Sequence, residues 1–95
     1  MAVEYFKIVT VKHPRCKDPF TFKVPENMTL DVGDYVLCKT KNHKVPQVGK
    51  CITPSFRIGD FQLGELYGII PQDLMPIVGI LRPVMYAFED VKSNG

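Results

Sequence analysis

Eight prolines, at positions 14, 19, 25, 46, 54, 71, 76 and 83, divide this chain of 95 residues so finely that only 26–45 and 55–70 leave room for a capped, uninterrupted helix. Proline lacks a backbone donor and its ring clashes with the preceding helical turn, which points away from an all-helical fold. The stretches between the prolines are rich in Val, Ile, Phe, Tyr and Thr, residues that suit a pleated, half-buried surface. Segments 3–12, 20–24, 34–41, 47–53 and 77–82 therefore read as strands, the last continuing past Pro83 over 84–88.

Alternation refines this reading. Phe20, Phe22 and Val24 alternate with Thr21 and Lys23, predicting one buried and one wet face, with Phe20, Phe22 and Phe56 counted as core. In the first strand Val3, Tyr5, Val9 and Val11 oppose Phe6 and Ile8, so both faces are expected to be partly covered. The run Asp31-Val32-Gly33-Asp34 reads as a turn, because glycine accepts a positive φ and aspartate favours turn positions. It feeds a hairpin whose two strands flank a basic tip, Lys41-Asn42-His43-Lys44. Gly59-Asp60, between two alternating runs, predicts a second, smaller hairpin with a two-residue turn. Residues 65–75 are the one place for a short helical turn, with Pro71 as its first helical residue and Asp73 near its positive end.

Short strands at close intervals suggest closure, the usual way a small sheet protein removes exposed edges. The expected fold is mainly β, a single-domain β-barrel of about five to six short strands with at most one short helical turn. Residues 1–12 supply the first strand and 89–95 a flexible tail; an open α+β sheet is the competing architecture.

A mass of 10.8 kDa fits one domain with one core, and 45% apolar residues with a formal charge of +2 fit neither wholesale disorder nor a polycation. The longest strongly apolar run, 74–81, is interrupted by Pro76 and falls far short of the about 20 residues of a helical membrane span. With no basic and apolar leader in the first six residues, a soluble, cytoplasmic protein without membrane partners is expected. Three cysteines, Cys16, Cys38 and Cys51, cannot all pair within one chain, so reduced thiols are the simpler reading.

The small net charge conceals an asymmetry. Between Lys7 and Arg57 ten Lys or Arg face four acidic residues, whereas from Ile58 onward two basic residues face five acidic ones. Lys39, Lys41, Lys44 and Lys50 cluster on the hairpin, with Arg57 just beyond. Lysines on one surface release counterions from phosphates, so a polyanion is the candidate partner. Tyr35, on the same strand face as Lys39 and Lys41, offers a stacking platform beside cations. The alternative is that these lysines blunt strand edges and maintain solubility.

Other chemistries find less support. His13 with Cys16, and Cys38 with His43, allow a zinc site to be drawn, but the spacing is not a standard one, and cysteines in strands commonly act as small buried hydrophobes. No nucleophile turn, oxyanion hole or pair of carboxylates commends catalysis, and the glycines form neither a phosphate loop nor a dinucleotide fingerprint. No catalytic residue, metal site or cofactor is expected.

One resemblance covers most of residues 20–82. The stretch Phe20-Thr21-Phe22-Lys23-Val24-Pro25-Glu26, continuing through Asp31-Val32-Gly33-Asp34-Tyr35-Val36, resembles the start of PriA-type primosomal helicases, in which an aromatic strand runs into Val-Pro, a loop, and a glycine before a valine-rich strand. Gln47-Val48-Gly49-Lys50-Cys51-Ile52 is similar to that family's return strand, and Leu74-Met75-Pro76-Ile77-Val78-Gly79-Ile80-Leu81 to its final strand. The resemblance implies the small β-barrel that opens such helicases and binds the 3′ end of a DNA strand at a fork, here without the motor. The family's pocket combines a phenylalanine, the aspartate after it, a hairpin glycine and a lysine before the last strand. Phe20 matches the first, while Thr21 stands in place of the aspartate, the tip around Lys41 lacks the glycine, and Met75 stands in place of the lysine.

The functional expectation is a non-enzymatic module that binds nucleic acid, DNA rather than RNA, single-stranded or forked, through Lys39, Lys41, Lys44, Lys50 and Arg57, with Tyr35 stacking. Its rival is a protein-interaction or assembly module, pairing with itself or a partner through an exposed strand edge or the apolar stretch 69–84.

Overall fold

A computed structural model describes residues 3–81; the continuation over 84–88 and the tail over 89–95 lie outside the described residues. The chain is mainly β, with six antiparallel strands in one sheet and one short helix. Strand β1 (Tyr5–Lys12) organises the sheet. One of its edges carries β2 (Phe20–Lys23), in register from Ile8 opposite Lys23 to Val11 opposite Phe20. The other edge is shared: the first half pairs with β5 (Phe56–Gly59), the second with β4 (Gln47–Cys51). The predicted basic-tipped hairpin forms from β3 (Tyr35–Cys38) and β4, and β3 also pairs with β6 (Ile77–Leu81).

The strand order β2-β1-β4-β3-β6 returns on itself, because Lys23 and Pro76 form a parallel bridge in which the Lys23 N–H donates to the Met75 carbonyl at 2.9 Å. This joins the two ends of the sheet into a barrel. The turn before β3 forms as expected: Gly33 sits at φ 95°, the Asp34 N–H donates to the Asp31 carbonyl, and the Asp34 carboxylate accepts from the Asp31 N–H.

Both faces of β1 are covered at its middle, around Ile8 and Val9. Val9 and Val11 point into the barrel interior with Phe22, Val24, Leu30, Val36, Cys38, Cys51 and Ile77. Ile8, their neighbour on the opposite face, packs with Ile58, Leu63 and Leu74 in a second core flanked by Phe6, Phe56 and Ile69. Val9 and Ile8 are both completely buried, as alternation demands of a strand sandwiched between two apolar layers.

The second core explains why Gly59-Asp60 does not turn a hairpin. Gly59 ends β5 with an extended backbone and then serves as N-cap of helix α1 (Asp60–Tyr67). Its N–H donates to the Gln62 side chain, and the Asp60 carboxylate accepts from the Phe61 N–H at 2.8 Å. The helix inserts Leu63, fully buried, into the second core, whereas Phe61 remains exposed. Burying that leucine contributes about 1.5–3 kcal/mol. Gly68, at φ 66°, closes the helix in the left-handed conformation that ends many helices. The expected turn at Pro71 is present as a 3₁₀ turn, η1 (Pro71–Asp73).

Candidate nucleic-acid interface

Two hollows adjoin the hairpin. The larger, a groove of about 940 Å³, lies between β2, the hairpin tip and the segment that runs from Gly68 to Met75. Phe20, Thr21 and Phe22 form one wall, Lys41, His43 and Val45 come from the tip, and Ile69, Asp73 and Met75 stand opposite. The smaller, about 240 Å³, is an apolar recess on the outer face of β1, β4 and β3, lined by Lys12, Pro14, Tyr35, Val48 and Lys50. His13 borders both.

Phe20 departs from the expected core position: it is 49% exposed, while Phe22 is 5% exposed and Phe56 half-buried. The cause is its place at the start of β2, opposite Val11 at the mouth of the barrel, where His13 occupies the interior instead. The His13 ring meets Phe20 edge-on at 6.1 Å and Phe22 at 5.7 Å.

The expected lysine surface divides by register. Strand β3 stops at Cys38, so Lys39 and Lys41 leave the strand rather than extend the face of Tyr35. Lys39 and Lys44 are exposed around the tip, and Lys41 forms an ion pair at 3.2 Å with Asp73 on the other side of the groove. Lys50 lies directly across from Tyr35 in the β3–β4 register, with its ammonium 5.9 Å from the ring centroid, and across from Lys12 in the β1–β4 register. A row Lys12–Lys50–Tyr35 thus crosses three strands on the outer face, and Tyr35 is 47% exposed. Arg57 is placed elsewhere: on β5 it forms an ion pair with Glu26, beside Lys7, whose ammonium donates to the carbonyls of Glu26 and Met28.

The sequence suggests His13 as a metal ligand or as half of a Cys–His pair, and Lys12 as a basic residue outside the hairpin cluster. The continued alternation Val9, Val11, His13 was the available signal that His13 points inward. His13 is 8% exposed and neither ring nitrogen has a hydrogen-bond partner. Burial, then the charges of Lys12 and His43, hold its pKa below 6.5. Among the described residues no group of three or more His, Cys, Asp or Glu is placed to hold a metal ion. Cys38 and Cys51 lie in the interior, where burial above all, and then the Cys51 thiol, push Cys38 up to about 12; burial and then Asp34 push Cys51 up to about 11. These are protonated, unreactive thiols. No helix among the described residues is long and apolar enough to cross a membrane.

A groove with an aromatic wall and a cationic tip, beside a tyrosine flanked by lysine, can accept a planar ring and neighbouring phosphates. Comparison with family models, with curated proteins and with solved structures finds no match to this chain.

Proposed function

We propose that this chain is a non-enzymatic nucleic-acid-binding module that holds single-stranded or forked DNA, with the strand end in the groove and the adjoining phosphates on Lys39, Lys41, Lys44 and Lys50. The observation that carries this reading is the meeting of Phe20, Thr21, Lys41 and Met75 around one groove. These residues come from distant parts of the sequence; of the four pocket groups that the resemblance to PriA-type helicases implies, Phe20 alone is kept, so the support is the shared groove and its cationic tip. Tyr35 and Lys50, on the outer face, extend the contact to a second base. Arg57, engaged with Glu26, lies outside this path.

Fluorescence anisotropy with labelled single-stranded, duplex and forked oligonucleotides tests the proposal. Binding is expected at low salt, strongest for the single-stranded and forked forms, with log affinity falling by about 0.7 per phosphate contact for each tenfold rise in salt. Lys44→Glu and Lys50→Glu weaken it, whereas Arg57→Ala leaves it within about twofold, as expected of an exposed ion pair remote from the contact. Absence of binding to all three forms at low salt refutes the reading.

Exposed apolar side chains favour a second reading, a protein-interaction module. Phe61 is 69%, Leu66 71% and Ile70 57% exposed around α1 and η1. Light scattering that reports an oligomer dispersed by Leu66→Lys, combined with indifference to lysine reversal, would select it.

A further inference from the structure

From the seating of His13 we infer an acid-operated wall: protonation drives its ring out from between Phe22 and Gly49 into the groove, joining groove and recess and adding a cation to the groove. The inference concerns the free protein, so its test stands apart from nucleic-acid binding.

The geometry is that of a polar group held in an apolar seat. His13 is more than nine-tenths buried, borders both hollows, and offers two ring nitrogens with no partner. A neutral imidazole in such a seat forgoes one donated and one accepted hydrogen bond; an imidazolium would hold a full charge and two orphaned donors there. The seat is shaped to the ring. A methyl group placed on Gly49 would lie 3.2 Å from Nε2 and 3.3 Å from Cδ2, so the imidazole rests against bare backbone.

Among the described residues, no element packed against the ring offers it an unpaired counter-charge. From β1 come Lys12 and the Val11 methyls, from β2 the rings of Phe20 and Phe22, and from β4 the Gly49 backbone. The hairpin tip contributes His43, which acts against a charge on the ring, and the loop after His13 contributes Arg15 and Cys16. The carboxylate bordering the groove, Asp73, is occupied by Lys41 at 3.2 Å. The charges that act on the seated ring, those of Lys12 and His43, both oppose its protonation and, with burial, lower its pKa.

The exit is open while the backbone is tethered. The groove adjoins the ring, and the His13 carbonyl accepts from the Cys16 N–H at 3.1 Å and from the Lys12 ammonium at 3.0 Å. Lys12 also donates to the Cys16 carbonyl. The side chain consequently moves without unravelling the loop.

Proton NMR across pH 8 to 4 on the intact chain tests this. The ring protons of His13 are expected to show contacts to Phe22 and the Val11 methyls at neutral pH. They should lose those contacts in acid, the ratio of ejected to seated ring rising roughly tenfold per pH unit between 6.5 and the seated ring's own midpoint. His13→Leu should abolish the pH response of the Val11 and Phe22 signals. Three outcomes overturn the inference: contacts that persist after His13 has protonated, a His13 midpoint at or above the ordinary 6.5, or an unchanged response in His13→Leu. The wild-type titration alone decides the matter if that variant fails to fold.

Discussion

Gly49→Ala tests the closest approach inside the barrel, dominated by Val11, with the His13 ring next at 3.2 Å. Gly49 lies in β4, and positive φ among the described residues is confined to Gly33 and Gly68, so the backbone at Gly49 admits alanine and only space opposes it. The added Cβ would sit 2.3 Å from Val11 Cγ1, against the about 3.5–4.0 Å at which carbon atoms pack, so something must shift by more than about 1 Å. Val11 is fully buried and β-branched, with few rotamers to escape into. Overpacking costs about 1–3 kcal/mol and the clash argues for the upper end; the smaller entropy of the unfolded alanine chain returns about 0.4–1 kcal/mol. A net loss of about 2 kcal/mol is expected. Urea unfolding followed by far-ultraviolet circular dichroism should show a midpoint lowered by about 1–2 M with unchanged slope. Val11→Ala alone should cost about 1.5–3 kcal/mol through lost burial. Combined with Gly49→Ala, however, it should lose less than the sum, with about 1–2 kcal/mol of favourable coupling, because the new methyl enters the space vacated by Cγ1. A Gly49→Ala protein within about 0.5 kcal/mol of wild type, or strict additivity in the double variant, would refute the reasoning.

Leu63→Ala should cost about 2–5 kcal/mol in the same assay, because Leu63 is the one buried residue of α1 and anchors it to the second core; a cost below about 1 kcal/mol would mean that the helix is held otherwise. Cys38 and Cys51 ionise more readily once unfolded, with the ordinary thiol value at 9.0 and the folded values pushed up to about 12 and about 11. Their contribution to stability is complete below pH 9 and declines as the pH rises from there toward the folded values, which alkaline unfolding curves of the wild type and of Cys38→Ala can compare. At neutral pH a maleimide should modify the half-buried Cys16 and spare the two interior thiols in the native protein.

Much of the architecture could be read in the residues because it depends on local rules. Prolines bounded the segments, alternation marked Phe22 and Val24 as interior, and Asp31-Val32-Gly33-Asp34 turned where a positive φ was needed. That Phe20, Lys41 and Met75 border one groove depends on how β2, the hairpin tip and the segment after Gly68 meet, which no short window of sequence reveals. The misreadings arose where a tertiary partner outweighed a local signal. The pair Phe61 and Leu63 fits a strand as well as a helix, and the decision rests on a second core that no short window reveals. Likewise the lysines near the hairpin could not be assigned to faces, because which side a residue presents depends on where its strand stops and with which neighbour it pairs. Lys50 gained Lys12 and Tyr35 as neighbours by register, and Arg57 was separated from them for the same reason.

His13 and Gly49 show how the two kinds of information combine. An inward position at the end of β1 would ordinarily take a small apolar residue beside Val9 and Val11, and an imidazole there requires both a missing side chain opposite and rings to pack against. Gly49 provides the first and Phe22 the second. Because the ring fills the mouth of the barrel, Phe20 is left outside, half-exposed, on the wall of the groove. The aromatic surface that the proposed strand end would meet is thus a consequence of burying a histidine, and replacing His13 by a smaller residue should let Phe20 turn inward and narrow the contact. The polar residue inside the barrel and the apolar residue outside it are one arrangement, and neither position is intelligible without the other.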